Sequence, residues 1–139
     1  MTLIALLVIA GLWSFAKRPV SKTGNPVNDE EPAGNDKIKV FYPLPNGMVS
    51  SPLVVRGEAR GIWYFEASFP ARLEDGNGKV LVQHYAQAEG DWMTENFVRY
   101  KSTLVFSKPT TATGTLVLEK DNPSGDPARA EELRIPVRF

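Results

Sequence analysis

The chain has 139 residues, enough for one domain and an appendage, and its 16 basic and 16 acidic residues cancel. The balance holds locally: 17–37 carries four of each sign and 38–139 twelve of each, so the composition gives neither the basic footprint that nucleic acid demands nor a strong pull toward anionic lipid. There is no cysteine, which excludes a disulfide scaffold, a thiolate metal site and a cysteine nucleophile.

The chain divides into three pieces. The first, 1–16, is a membrane anchor or a signal peptide. Leu3 to Ala16 is apolar except for Ser14 and stops at Lys17-Arg18. A helix spanning a bilayer needs roughly 20 apolar residues, so the run is short for an anchor, although Trp13 stands where an interfacial anchor belongs. Ser14-Phe15-Ala16 has the small residues of a cleavage site, without the basic n-region of a signal peptide before it. The positive charge after the run conflicts, by the positive-inside rule, with an extracytoplasmic domain. The second piece, 17–37, is rich in Pro, Gly, Asn and charge and is expected to be a disordered linker. The third, 38–139, is a domain.

Within the domain, period-two alternation predicts strands. Ile38, Val40 and Tyr42 share a face before Pro43-Leu44-Pro45-Asn46-Gly47 breaks the strand; Leu53 opens a second that runs to Ala59. From Trp63 to Glu74 every other residue is apolar, which predicts one long half-buried strand, with Pro70 demanding a bulge or an edge. Asp75-Gly76-Asn77-Gly78 is a hairpin signal, answered by a strand from Lys79 to Ala86. A connection from Ala88 to Asn96 leads to a strand from Phe97 to Phe106, then Thr115 to Lys120, a polar loop and Leu133 to Phe139. Seven strands in about a hundred residues, with no helical period, predict an all-β immunoglobulin-like sandwich.

Several residue types invite a chemical reading. His84 is the sole histidine and lacks a surrounding nucleophile motif, although Ser50 and Ser51 exist. Glu58 and Glu66 are a conceivable carboxylate pair on neighbouring strands. Asp75 and Asn77, and Asp121 and Asp126, have fragments of calcium-loop spacing that turn chemistry explains equally well. None of these patterns is complete, so no catalytic, cofactor or metal residue is assigned and the domain is expected not to be an enzyme. Trp63, Tyr64, Trp92 and Tyr100 are candidates for a glycan platform; Trp92, Phe65 and Phe97 read better as core, with Tyr64 and Tyr100 open. The strand Leu133 to Phe139 contains Pro136 and reads as an exposed edge.

A resemblance runs through the domain. Val40-Phe41-Tyr42-Pro43, Pro45-Asn46-Gly47, Ser51-Pro52-Leu53-Val54-Val55-Arg56-Gly57-Glu58-Ala59-Arg60-Gly61, Phe65-Glu66, Arg72-Leu73, Asp75-Gly76-Asn77-Gly78, Gly90 with Trp92 and Phe97, Leu104 and Phe106, and Gly114 before Leu116 occur in order. Together they resemble the immunoglobulin-like domain of bacterial spore germination proteins, the second Gmad-type domain. The resemblance implies a non-catalytic, extracytoplasmic module, often tethered by one N-terminal segment and often accompanied by a second germination-type domain. On this reading the chain is held in the cell membrane by its N-terminal segment, or secreted after cleavage near Ala16. Its expected partners are that membrane and either an envelope protein, met through an apolar or edge-strand patch, or cell-wall glycan, met through exposed aromatics; nucleic acid is not among them.

Overall fold

The structure, a computed structural model, describes residues 31–139. The apolar segment and residues 17–30 of the expected linker lie outside the described residues. The rest forms nine strands: β1 (Ala33–Gly34), β2 (Ile38–Tyr42), β3 (Gly47–Met48), β4 (Leu53–Arg60), β5 (Ser68–Asp75), β6 (Val80–Ala88), β7 (Phe97–Leu104), β8 (Thr113–Glu119) and β9 (Glu132–Arg138), with short 3-10 turns at Gly61–Trp63 and Pro127–Arg129. They hydrogen-bond in the order β1-β2-β4-β7-β6-β5-β8-β9-β3. The seven longer strands are those the alternation predicts; β1 and β3, two residues each, are additional. The sheet curls on itself so that its two halves share one core, consistent with an immunoglobulin-like fold. β6 makes the joint, pairing along its length with β5 and only through Gln87 and Ala88 with Lys101 and Tyr100 of β7.

Alternation decides what is buried. Leu53, Val55 and Ala59 of β4 and Val98, Tyr100 and Leu104 of β7 point inward, as do Phe69, Ala71 and Leu73 of β5, Leu116 and Leu118 of β8, and Ile135 and Val137 of β9. Burying each large apolar side chain contributes about 1.5–3 kcal/mol. Phe69 sits at the centre of an aromatic cluster, edge-on to Trp63, Tyr64 and Tyr100 at 6.5, 5.2 and 4.9 Å between ring centroids. Gly57 belongs to the same arrangement. The Tyr100 hydroxyl crosses it to donate to the Lys39 carbonyl at 2.9 Å, and a Cβ at Gly57 would overlap both groups.

Three expectations are corrected. The long third strand does not exist as one element. Gly61–Trp63 is a 3-10 turn, Trp63 and Tyr64 are both buried, and Phe65 and Ser68 exchange backbone hydrogen bonds across Glu66 and Ala67 (φ 48° and 64°) before β5 begins. The alternation across 63–69 arises from two elements in series. Next, Tyr42 does not continue the buried face of Ile38 and Val40; the register shifts between Val40 and Tyr42, and Tyr42 is exposed. Finally, the sheet begins inside the expected linker. Ala33 and Gly34 pair with Val40 and Lys39, the Asn35 side chain accepts from the backbone of Lys37 and Ile38, and Lys37 pairs with Glu131 at 2.8 Å. Pro70 is accommodated where expected: β5 pairs with β8 only from Ala71 onward, so no ladder donor is lost on that side.

Candidate interaction surfaces

The residues singled out for chemistry are dispersed. His84 is exposed on β6 and stands edge-on to Tyr85 at 6.4 Å; Ser51 lies elsewhere, its hydroxyl accepting from the Phe106 amide at 3.0 Å. Glu58 is on β4 beside Lys39 at 3.7 Å and opposite Arg99. Glu66 is in the tight turn before β5, where its charge, after burial, helps to raise the Asp121 carboxyl above its usual range. Asp75 accepts from the amides of Asn77 and Lys79 and so builds the hairpin turn, and Asp126 accepts from the Ala128 amide to cap the second 3-10 turn. Among the described residues no group of three or more His, Asp or Glu is placed to hold a metal ion.

The aromatics sort differently from expectation. Tyr64 and Tyr100 are core; burial pushes both phenols well up, and each donates to a backbone carbonyl, Tyr64 to Val98 at 2.7 Å. Trp63 is buried and Trp92 packs against the core. The four residues therefore form no exposed platform. Phe65 and Phe97, expected in the core, are not in it. Phe65 is 43% exposed, and Phe97 lies on the outer face of β7, with Lys39 Nζ at 4.6 Å and Arg60 Cζ at 4.3 Å from its ring centroid.

The two outer faces of the curled sheet carry opposite kinds of electrostatics. On β5-β8-β9, Glu74 accepts from Arg72 Nε at 2.8 Å and Arg134 Nη2 at 2.6 Å; Arg72 also pairs with Glu119 and, at 3.4 Å, Glu132, and Arg134 with Glu132 at 3.1 Å. Arg72, first, and Arg134 hold the Glu74 carboxyl below its usual range against the opposing effect of burial. Val117, in register between Arg72 and Arg134, is completely buried on this face. Such a network is self-sufficient and outweighs isolated exposed pairs. On β2-β4-β7 the outward charged residues are Lys39, Arg56, Glu58, Arg60, Arg99 and Lys101, with Glu89 alongside. Arg56 stands directly opposite Lys101, and among the described residues no carboxylate lies within 4.0 Å of Arg56, Arg99 or Lys101.

A third surface is a mostly apolar groove of about 410 Å³ at one end of the fold, lined by Met48, Val49, Ser50, Ser51, Phe106 and Phe139 with Lys108 beside them. Phe106 and Phe139 meet edge-on at 6.0 Å, and Met48 is 61% exposed. Its wall exists because β3 runs parallel to β9, with Gly47 opposite Val137 and Met48 opposite Arg138. This pairing corrects the expectation of an open C-terminal edge. The Pro136 carbonyl accepts from Asn46 and the Arg138 carbonyl from Val49, so the outer side of β9 is covered over that stretch. Pro136 faces its missing N–H to the same side as its carbonyl, away from the β8 ladder. Alternation places Phe106 and Phe139 in two separate strands and gives Met48 no role; only the long-range pairing of β3 with β9 brings them together.

A curled all-β sheet whose two halves share one core, with turns capped by their own side chains, is the architecture of an immunoglobulin-like module. The sequence profile of the immunoglobulin-like domain of bacterial spore germination (Gmad2) matches residues 37–126, and the chain belongs to that family. No curated protein and no solved structure matches it.

Proposed function

We propose that the domain is a non-catalytic interaction module of the bacterial cell envelope, tethered to the membrane through residues 1–16, positioned outside the cytoplasm and engaging an envelope protein. Membership in the spore-germination family supports the envelope setting, and the apolar run from Leu3 to Ala16, broken only by Ser14, supports the tether. The groove between Met48, Phe106 and Phe139 carries the choice of a protein partner, because it is a mostly apolar concavity with a flexible, exposed methionine at its rim. Cell-wall glycan, the alternative, loses its expected platform with Trp63, Tyr64 and Tyr100 in the core.

The test is cross-linking in intact cells of the full chain and of Met48→Asp, an exposed substitution that leaves the core untouched. Loss of a defined cross-linked protein in the variant supports the reading. An identical cross-link pattern, or sedimentation of the unmodified chain with purified cell wall, overturns it. Membrane fractionation with high-salt washing, together with mass spectrometry of the mature N-terminus, tests the tether: a mature chain starting at Lys17 makes the segment a signal peptide.

A further inference from the structure

The neutral overall charge conceals a segregation. On the β5-β8-β9 face Glu74, Glu119 and Glu132 neutralise Arg72 and Arg134, and Arg138 donates to the Asn46 carbonyl, whereas the β2-β4-β7 face sets five basic residues against Glu58 and Glu89. Like charges directly opposite each other on a sheet are destabilising, yet Arg56 and Lys101 are so placed with Arg99 diagonal to Arg56. Two depressions flank this trio, of about 490 Å³ beside His84 and Tyr85 and about 140 Å³ beside Phe41 and Tyr42. Phe41, Tyr42 and Tyr85 are 41–50% exposed. Guanidinium groups with exposed aromatics alongside are the composition that meets phosphate headgroups at a membrane interface.

The fold also fixes where the upstream chain joins. β1 is the neighbour of β2 at the border of this same face, and Arg60 Nε donates to the Asp36 carbonyl at 2.6 Å, tying the incoming segment to it. The described chain therefore enters, from Glu31, along the border of the basic half, with Lys37 also tied to Glu131. We infer that the β2-β4-β7 face docks on the anionic lipid headgroups of the membrane, with Arg56, Arg99 and Lys101 as the phosphate contacts. This inference rests on the tether proposed above. Docking turns a loose attachment into a fixed orientation that leaves the opposite face outermost. Its electrostatic part acts within about 8 Å at physiological salt, which only a domain held against the surface satisfies.

The experiment uses the full chain with vesicles of phosphatidylcholine alone or mixed with phosphatidylglycerol. The absence of cysteine allows a single environment-sensitive dye at Thr103→Cys on the basic face, or at Ser124→Cys in the exposed connection between β8 and β9 as a control. Flotation with neutral vesicles reports the tether alone. Docking is then read as protection of the Thr103→Cys dye from iodide on anionic but not neutral vesicles, absent at Ser124→Cys and reversed by high salt. Each of Arg56→Ala and Lys101→Ala is expected to weaken the docked state about five-fold, with an unchanged circular dichroism spectrum. If the chain fails to float on neutral vesicles, the tether reading fails; flotation on anionic vesicles that is lost in Arg56→Glu/Lys101→Glu still upholds the face. Equal iodide access on both vesicle types overturns the inference. So does protection of the dye on neutral vesicles by added short-chain polyphosphate with none from anionic lipid, which assigns the face to a soluble phosphate polymer.

Discussion

The tight turn Glu66-Ala67 is built without glycine. Both residues have positive φ, the arrangement of a type I′ hairpin turn, which Asn and Gly adopt most readily. Ala67→Gly removes the Cβ from a left-handed conformation and is expected to raise stability by up to about 1 kcal/mol, read as a higher urea midpoint at unchanged slope. The cost of a looser unfolded chain is already included in that figure. Glu74 gives a second test. Arg72, and then Arg134, lower its folded-state pKa. A carboxyl with a depressed pKa stabilises the fold at pH values above its unfolded pKa, about 4.3 for glutamate, and that contribution disappears as the pH falls through the folded value. Urea midpoints taken at pH 7 and at successively lower pH should therefore fall more steeply below about pH 4 in the unmodified chain than in Glu74→Gln, which has no proton to gain. Parallel profiles would mean that the network does not hold Glu74 ionised.

Strands were legible where side-chain period and burial coincide. β4, β7 and β9 alternate cleanly because one face of each meets the core and the other meets solvent. Reading failed where burial comes from something other than a single strand. Trp63 and Tyr64 are both buried because a 3-10 turn swings one after the other into the core, and neither Glu66 nor Ala67 has the chemistry that announces a turn. β3 is two residues held in parallel by a strand ninety positions away, a contact with no local signature. The same distance hid the groove of Met48, Phe106 and Phe139, and the facing of Arg56 by Lys101 required a register that composition does not contain. The pairing of β9 on both sides changes what a proline there reports. Val137 is buried, lies opposite Gly114 of β8 and, by alternation from Pro136, directs its N–H into that ladder. Val137→Pro is therefore expected to cost at least about 3 kcal/mol through lost burial and a lost ladder bond, measured by chemical denaturation. An unaffected midpoint would contradict the assigned pairing.

At the scale of the molecule, the domain starts earlier than the pattern of apolar residues suggests. A fragment beginning at Glu31 keeps β1 and the Lys37–Glu131 pair, whereas one beginning at Ile38 loses both. Both fragments should give β-type circular dichroism spectra and unfold cooperatively, with the shorter one less stable by about 1–2 kcal/mol. Equal midpoints would reduce β1 to an ornament of the sheet. The attachment of β1 also has a mechanical meaning. Tension applied from the N-terminal side falls first on a two-residue ladder at the sheet border, with the remaining strands behind it in series. Peeling Ala33 to Lys37 frees about 17 Å of chain, at roughly 3.4 Å per residue, before β2 bears any load. The domain thus carries a built-in length of slack that yields under modest pull and leaves the core, the groove and the ion-paired face intact.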